Sequence, residues 1–239
     1  MIELRNLTKS YVKGKKIINN LNLQINNGEI FGFLGPNGAG KTTTIKMITG
    51  ILNIDEGDVL IDGKSIQKNP IDAKKNFGFV SDNSDVFLKL TGIEYLNFIS
   101  DVYKIPSSTR KKRIEDLSKR FEIYDVLSDR IQSYSHGMRQ KIVDIASLVH
   151  DPQNWILDEP MTGLDPRASL ELKKIMREEA NKGKAVFFST HVLEVAEKVC
   201  DRIGIINKGK LIYIGNADYI RKKISLEKLF MEVTEKNDG

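Results

Sequence analysis

A single cysteine, Cys200, in 239 residues excludes an internal disulfide framework and suits a reducing cytosol. No apolar run comes near the length that spans a bilayer. The opening stretch MIELRNLTKS carries charge from Glu3 onward and has no signal-peptide pattern. No internal repeat or low-complexity tract is present. What remains is a soluble, globular composition, 40% hydrophobic and 29% charged. The length suits one domain with room for a subdomain. A net charge of +5 is weak ground for nucleic acid. Much of the basic density lies in RKKR (Arg110 to Arg113), which opens a segment of helical spacing. It reads first as a solvated helix face, with an anionic partner, lipid or nucleic acid, as the alternative.

Along the chain the signals change twice. IELRNLTKSY and KKIINNLNLQI read as strands, with NNGE as a turn. IFGFL (Ile30 to Leu34) is a continuous apolar run, as a buried strand requires, and KTTTIKMITGIL follows as a helix. GDVLIDGKSI reads as a hairpin around Asp62-Gly63, and FGFV (Phe77 to Val80) as a short buried strand. From Thr91 to Val149 strand signals vanish and helical spacing dominates. Strands return in WILDE (Trp155 to Glu159) and AVFFS (Ala185 to Ser189), separated by a helix. That alternation implies a parallel sheet with crossover helices. RIGIINKGKLIYIG is a hairpin turning at Lys208-Gly209, and a short helix and polar tail close the chain.

The stretch LGPNGAGKTTT fits G-x-x-x-x-G-K-[ST] through Gly35, Gly40, Lys41 and Thr42. Glycines let successive backbone N–H groups turn inward around phosphate oxygens, and the next helix adds its positive end. Lys41 is placed to reach the β- and γ-phosphates and Thr42 to ligate Mg²⁺. A buried strand before the loop and a helix after it supply the context the motif needs. In WILDEP, Asp158 ends an apolar strand, where it can orient the metal, and Glu159 can polarise an attacking water. The plain alternative is a solvated strand end, but two adjacent acids there are costly without a cation nearby. His191 follows a third parallel strand, so its tip belongs on the same edge as the phosphates.

Together these stretches resemble the ATP-binding subunit of ABC transporters over essentially the whole chain. GPNGAGKTT resembles the Walker A loop and implies nucleotide contacts from Gly35, Asn37, Gly38, Ala39, Gly40, Lys41, Thr42 and Thr43. WILDE resembles Walker B with its catalytic glutamate, Glu159. TGLD (Thr162 to Asp165) resembles the D-loop, with Asp165 near a dimer interface, and STH ends at the switch histidine, His191. YSHGMRQ (Tyr134 to Gln140) is placed like the family signature. Tyr11 stands where the family puts the ring that stacks on adenine; ordinary sheet packing is its plain alternative. The resemblance implies a head-to-tail dimer, in which Ser135 and Gly137 of one subunit bind the γ-phosphate held by the other. It implies an α/β fold: a P-loop NTPase core with a parallel sheet, an antiparallel β subdomain and an inserted α-helical subdomain. The expected layout is 1–86 and 150–223 for the core, 87–149 for the helical subdomain and 224–239 for a C-terminal tail.

Two positions depart from the commonest family pattern. The signature reads Tyr134, Ser135, His136, Gly137, Met138 where Leu-Ser-Gly-Gly-Gln is usual, so the His136 ring must turn away from the phosphate. Asp82 stands where a glutamine usually touches Mg²⁺; a carboxylate is a good hard-metal ligand, though a short one. Both departures resemble the exporter branch that works with separate membrane subunits. The implied function is Mg²⁺-dependent ATP hydrolysis driving export, at the cytoplasmic face of the membrane. The expected partners are a second ATPase subunit, identical or closely related, and multi-spanning permease subunits contacted near Asp82 to Leu90. Phe87, Leu88 and Leu90 crowd that segment; packing beneath the helical subdomain is their plain alternative. No nucleic-acid partner is expected. The rival reading, a soluble ABC-type ATPase acting on ribosomes or nucleic acid, calls for two cassettes or a long coiled-coil insertion.

Overall fold

The computed structural model describes residues 1–12, 14–83, 87–223 and 225–235. Two sheets organise it. β1 (Ile2–Val12), β2 (Lys15–Ile25), β4 (Glu56–Ile61) and β5 (Lys64–Ser65) form an antiparallel sheet in the order β2-β1-β4-β5. β3 (Ile30–Leu34), β6 (Phe77–Val80), β7 (Asn154–Asp158), β8 (Ala185–Thr190), β9 (Arg202–Asn207) and β10 (Lys210–Asn216) form the second, in the order β10-β9-β3-β8-β7-β6. All its pairings are parallel except β9 with β10.

Alternation along the apolar strands decides how this sheet is covered. Phe31 and Phe33 of β3 face the antiparallel sheet and α1 (Lys41–Ile48), together with Phe187 of β8. The Phe33 and Phe187 ring centroids lie 5.6 Å apart. Ile30 and Leu34 face the opposite way, into a core shared with Trp155, Phe188 and the helices of that side. A strand buried on both faces reads as unbroken apolar residues, which is why IFGFL and WIL carry no alternation in sequence.

α2 (Pro70–Lys74) is a short helix before β6. The inserted helical region comprises α3 (Gly92–Val102), α4 (Ser107–Arg120) and α5 (His136–Leu148). α3 starts at a capping box between Thr91 and Glu94. α4 begins three residues before Arg110 and ends at Arg120, earlier than its sequence period suggests; a 3₁₀ turn at Tyr124–Val126 follows. Its basic run is only partly a solvated face. Arg110 pairs with Asp101, and Arg113 donates to the Val149 carbonyl at 3.0 Å and to Asp151.

α6 (Pro166–Asn181) and α7 (Leu193–Val199) return the chain between strands of the sheet. After β10 come α8 (Ala217–Lys223) and α9 (Leu226–Glu235). The expected polar tail is therefore helical over its described part: Leu226 is buried, and Leu229, Phe230 and Val233 pack on the core. The burial of these residues on one helical face overrides the polar composition around them.

Candidate functional site

Parallel register brings the carboxyl ends of four strands to one edge. Leu34 pairs with Thr190, Asp158 with Ser189 and Val80 with Leu157. The loops that leave these ends carry the candidate chemistry, as expected for an open parallel sheet. A cleft of about 450 Å³ opens there. It is lined by Asn37, Gly38 and Gly40 through Thr43, by Asp82, Glu159 and His191, and by Ile17 of β2.

The loop after β3 curls back over its own strand. Gly40 has φ 110°, a conformation that side-chain-bearing residues rarely adopt, so the turn requires glycine there. Gly35 and Ala39 sit behind the cleft surface, buried. The Lys41 ammonium is nearly buried and donates to the Gly35 carbonyl at 2.8 Å. It also donates to the Pro36 carbonyl at 3.4 Å and lies 3.5 Å from Glu159 Oε1. A lysine held this way has its charge fixed between the loop carbonyls and the Glu159 carboxylate.

Asp158 is buried and Glu159 half-buried. Ser189 ties the two together: its hydroxyl donates to Asp158 Oδ1 at 2.6 Å and accepts from the Glu159 amide at 3.0 Å. Burial raises the Asp158 carboxyl above its ordinary value. Hydrogen bonds from Ser189 and Thr42 oppose that rise, and the Asp82 and Glu159 charges add to it. Glu159 lies just past the strand with φ 48°, a left-handed conformation uncommon outside glycine, which turns its carboxylate into the cleft. Its Oε2 lies 3.0 Å from His191 Nδ1.

These residues fit a magnesium ion. The Thr42 hydroxyl and the Asp158 carboxylate are hard oxygen donors, and Asp82 sits close enough for its charge to act on Asp158. Among the described residues no group of three His, Cys, Asp or Glu side chains forms an all-protein metal cage. Mg²⁺ takes one or two carboxylates and fills the rest of its shell with water and phosphate oxygens, which the Thr42 and Asp158 donors allow.

The remaining expected site residues lie elsewhere. Tyr11 does not line the cleft; it is 59% exposed on β1, beside the stretch of β2 that carries Ile17. Ser135 caps α5 by accepting from the Met138 amide at 3.2 Å. Gly137 is in the first turn of that helix and Asp165 caps α6, accepting from Ala168 N at 2.8 Å. Sequence reading missed Ile17 and Ser189. Ile17 carries no chemical signal, being one apolar residue of a strand. Ser189 had one, its position two residues before His191.

The ABC transporter family model matches residues 18–162, from β2 through the loop after Glu159. The chain belongs to the ABC transporter ATP-binding family. The ATP-binding protein YhcH of Bacillus subtilis, an ABC transporter component of uncharacterised function, is 43% identical over 220 residues, covering 90% of this chain and 70% of the relative. The lipopolysaccharide export system ATP-binding protein LptB of Haemophilus influenzae is 31% identical over 234 residues, covering 97% of each. Among solved structures, an ATP binding subunit of an ABC transporter superposes with a TM-score of 0.93 at 30% identity, covering 98% of this chain and 99% of that one. A dimeric ATP-binding cassette in a post-hydrolysis state, bound to ADP and Pi, gives 0.82 at 25% identity, covering 91% and 99%. This ABC ATPase is thus an ATP-binding transporter subunit with the α/β fold of its family, and it has a dimeric structural relative.

Proposed function

We propose that this ABC subunit hydrolyses ATP with Mg²⁺ to drive export through separate membrane subunits. The observation that carries the reading is the convergence of Lys41, Glu159 and His191 on one cleft floored by a glycine loop. The loop amides and Lys41 take the phosphates, and Lys41 offsets their charge. Thr42 and Asp158 would hold the Mg²⁺, which would supply charge stabilisation for the phosphoryl group. Glu159 accepts a proton from the attacking water, and His191 holds the Glu159 carboxylate in place and contacts the γ-phosphate. Tyr11 and Ile17 cover the base.

Ser135 and Gly137 are proposed to act on the ATP of a partner protomer. Two facts support this: they lie outside the cleft of their own chain, and α5 offers a capped, positive N-terminus. The permease contact is proposed at Asp82 to Leu90, of which residues 84–86 lie outside the described residues. Phe87 supports it, being 51% exposed with its ring against Tyr95 and Phe98 at 5.5 and 5.4 Å. Leu88 and Leu90 instead pack partly into the helical core. Direction rests on the acidic Asp82, the Tyr134-Ser135-x-Gly137-Met138 signature, and the export system to which one relative belongs. We propose that the chain works at the cytoplasmic face of the membrane, held there by the membrane subunits. The test is a tagged pull-down from gently solubilised membranes. A multi-spanning protein in fixed ratio is the expected result; ribosomes or nucleic acid without one would overturn the transporter reading.

A further inference from the structure

His136, the unusual residue of the signature, has a partner within its own chain. Gly163, in the loop after Glu159, has φ +78°, and a Cβ built on it would lie 2.2 Å from the His136 Cδ2 and 2.5 Å from Nε2. The imidazole therefore fills the notch that the missing side chain leaves. Gly137 closes the same contact: a Cβ there would stand 3.0 Å from the Gly163 carbonyl oxygen. One helical turn on, Lys141 Nζ lies 3.1 Å from Asp165 Oδ2, while the other oxygen of Asp165 caps α6. The Asp165 carboxyl is held below its ordinary range, first by the Ala168 amide and then by Lys141. His136 and Gly163 are both exposed, so the contact is not needed to fill a core.

The loop concerned is short. Three residues separate Gly163 from Glu159, and the Thr162 amide donates back to the Glu159 carbonyl at 3.1 Å. We infer that His136 is a positioning residue: by seating on Gly163 it fastens the signature turn to the loop that sets Glu159, so the two move as one body. Lys141 and Asp165 form the second fastening. Engagement of phosphate at Ser135 and Gly137 then shifts the Glu159 backbone of the same protomer. This consequence rests on the proposed dimeric ATPase; the fastening itself does not.

Two measurements separate them. The first is hydrogen exchange of the full chain without nucleotide, read over residues 160–165. His136→Gly is expected to speed exchange there about tenfold, with the rest of α5 unchanged. Unaltered exchange would overturn the fastening. The second is steady-state hydrolysis by the complex with its membrane subunits. His136→Gly is expected to lower kcat about tenfold with KM for ATP within twofold, because Glu159 is misplaced while the nucleotide pocket is intact. His136→Phe, which keeps a flat ring on Gly163, is expected to restore most of kcat. A rise in KM with kcat unchanged, or a His136→Phe variant as slow as His136→Gly, would overturn the positioning role. A wild-type complex without ATPase activity would sink the proposed function and leave the exchange result standing.

Discussion

His191 Nδ1 lies 3.0 Å from Glu159 Oε2, and Lys41 Nζ lies 3.5 Å from the other oxygen of that carboxylate. One acid is thus held from two sides, by a ring at the end of β8 and an ammonium at the start of α1. The left-handed φ of Glu159 is what lets it reach both. Glu159→Gln keeps the size and loses the proton acceptor. It is expected to bind ATP and lower turnover by about a hundredfold or more. Near-normal hydrolysis in that variant would remove Glu159 as the base.

The adenine contact is a separate matter, since Tyr11 stands outside the cleft wall. A ring stacked on a planar base contributes roughly 0.5–1.5 kcal/mol. Tyr11→Ala should therefore raise KM for ATP about two- to tenfold and leave the rate at saturation unchanged. An unaltered KM would return Tyr11 to surface packing.

Asp82 is exposed, yet its charge acts on Asp158. Two carboxylates around one cation bind it more tightly than one. Asp82→Ala is expected to raise severalfold the Mg²⁺ concentration needed for half-maximal ATP binding. A Mg²⁺ dependence identical to wild type, measured by nucleotide binding and by turnover, would discard the contact.

The glycine loop, Asp158, Glu159 and His191 were legible in the sequence because each is fixed by its own neighbours: a strand before, a loop or helix after. The parallel sheet was legible for the same reason. Contacts between distant loops were not. Nothing local says that His136 seats on Gly163, or that Ser189 bridges two acids. α9 reads as a polar tail although Leu226, Leu229, Phe230 and Val233 stand at helical spacing; the surfaces of α7 and β10 that cover this face are not written in the segment itself. Ile17 was hidden because an apolar strand residue looks alike whether it meets a core or a ligand.

His150 stacks on Tyr103, with centroids 3.7 Å apart and planes 12° from parallel. Its Nε2 lies 3.1 Å from the Phe77 carbonyl, which can only accept, so Nε2 carries the proton and Nδ1 is bare. Burial lowers this imidazole from 6.5 to about 4. A folded value below the unfolded one gives stability that is full above pH 6.5 and lost as pH falls toward 4. At pH 5 the loss is about 2 kcal/mol relative to pH 7.5. His150→Phe keeps the stack and cannot titrate. Urea midpoints at the two pH values should show wild type losing that much more than the variant; parallel losses would mean His150 is not the sensitive group.

Asp144 presents the opposite sign. It is fully buried on α5 and accepts a hydrogen bond from Gln140 at 3.3 Å, and among the described residues its Oδ2 has no partner. Burial raises its carboxyl well above the ordinary 3.8, so the native state holds a proton that the unfolded chain gives up. The cost of folding it is least below pH 3.8 and grows as pH rises through the native value. A buried polar group without a partner costs roughly 1–3 kcal/mol. Asp144→Leu is therefore expected to raise stability by about that amount at pH 8 and by less at pH 4. Asp144→Asn separates the parts, since it removes the titration and keeps a polar group in place. A fall in melting temperature for both variants at pH 8 would show that the carboxyl is needed where it stands.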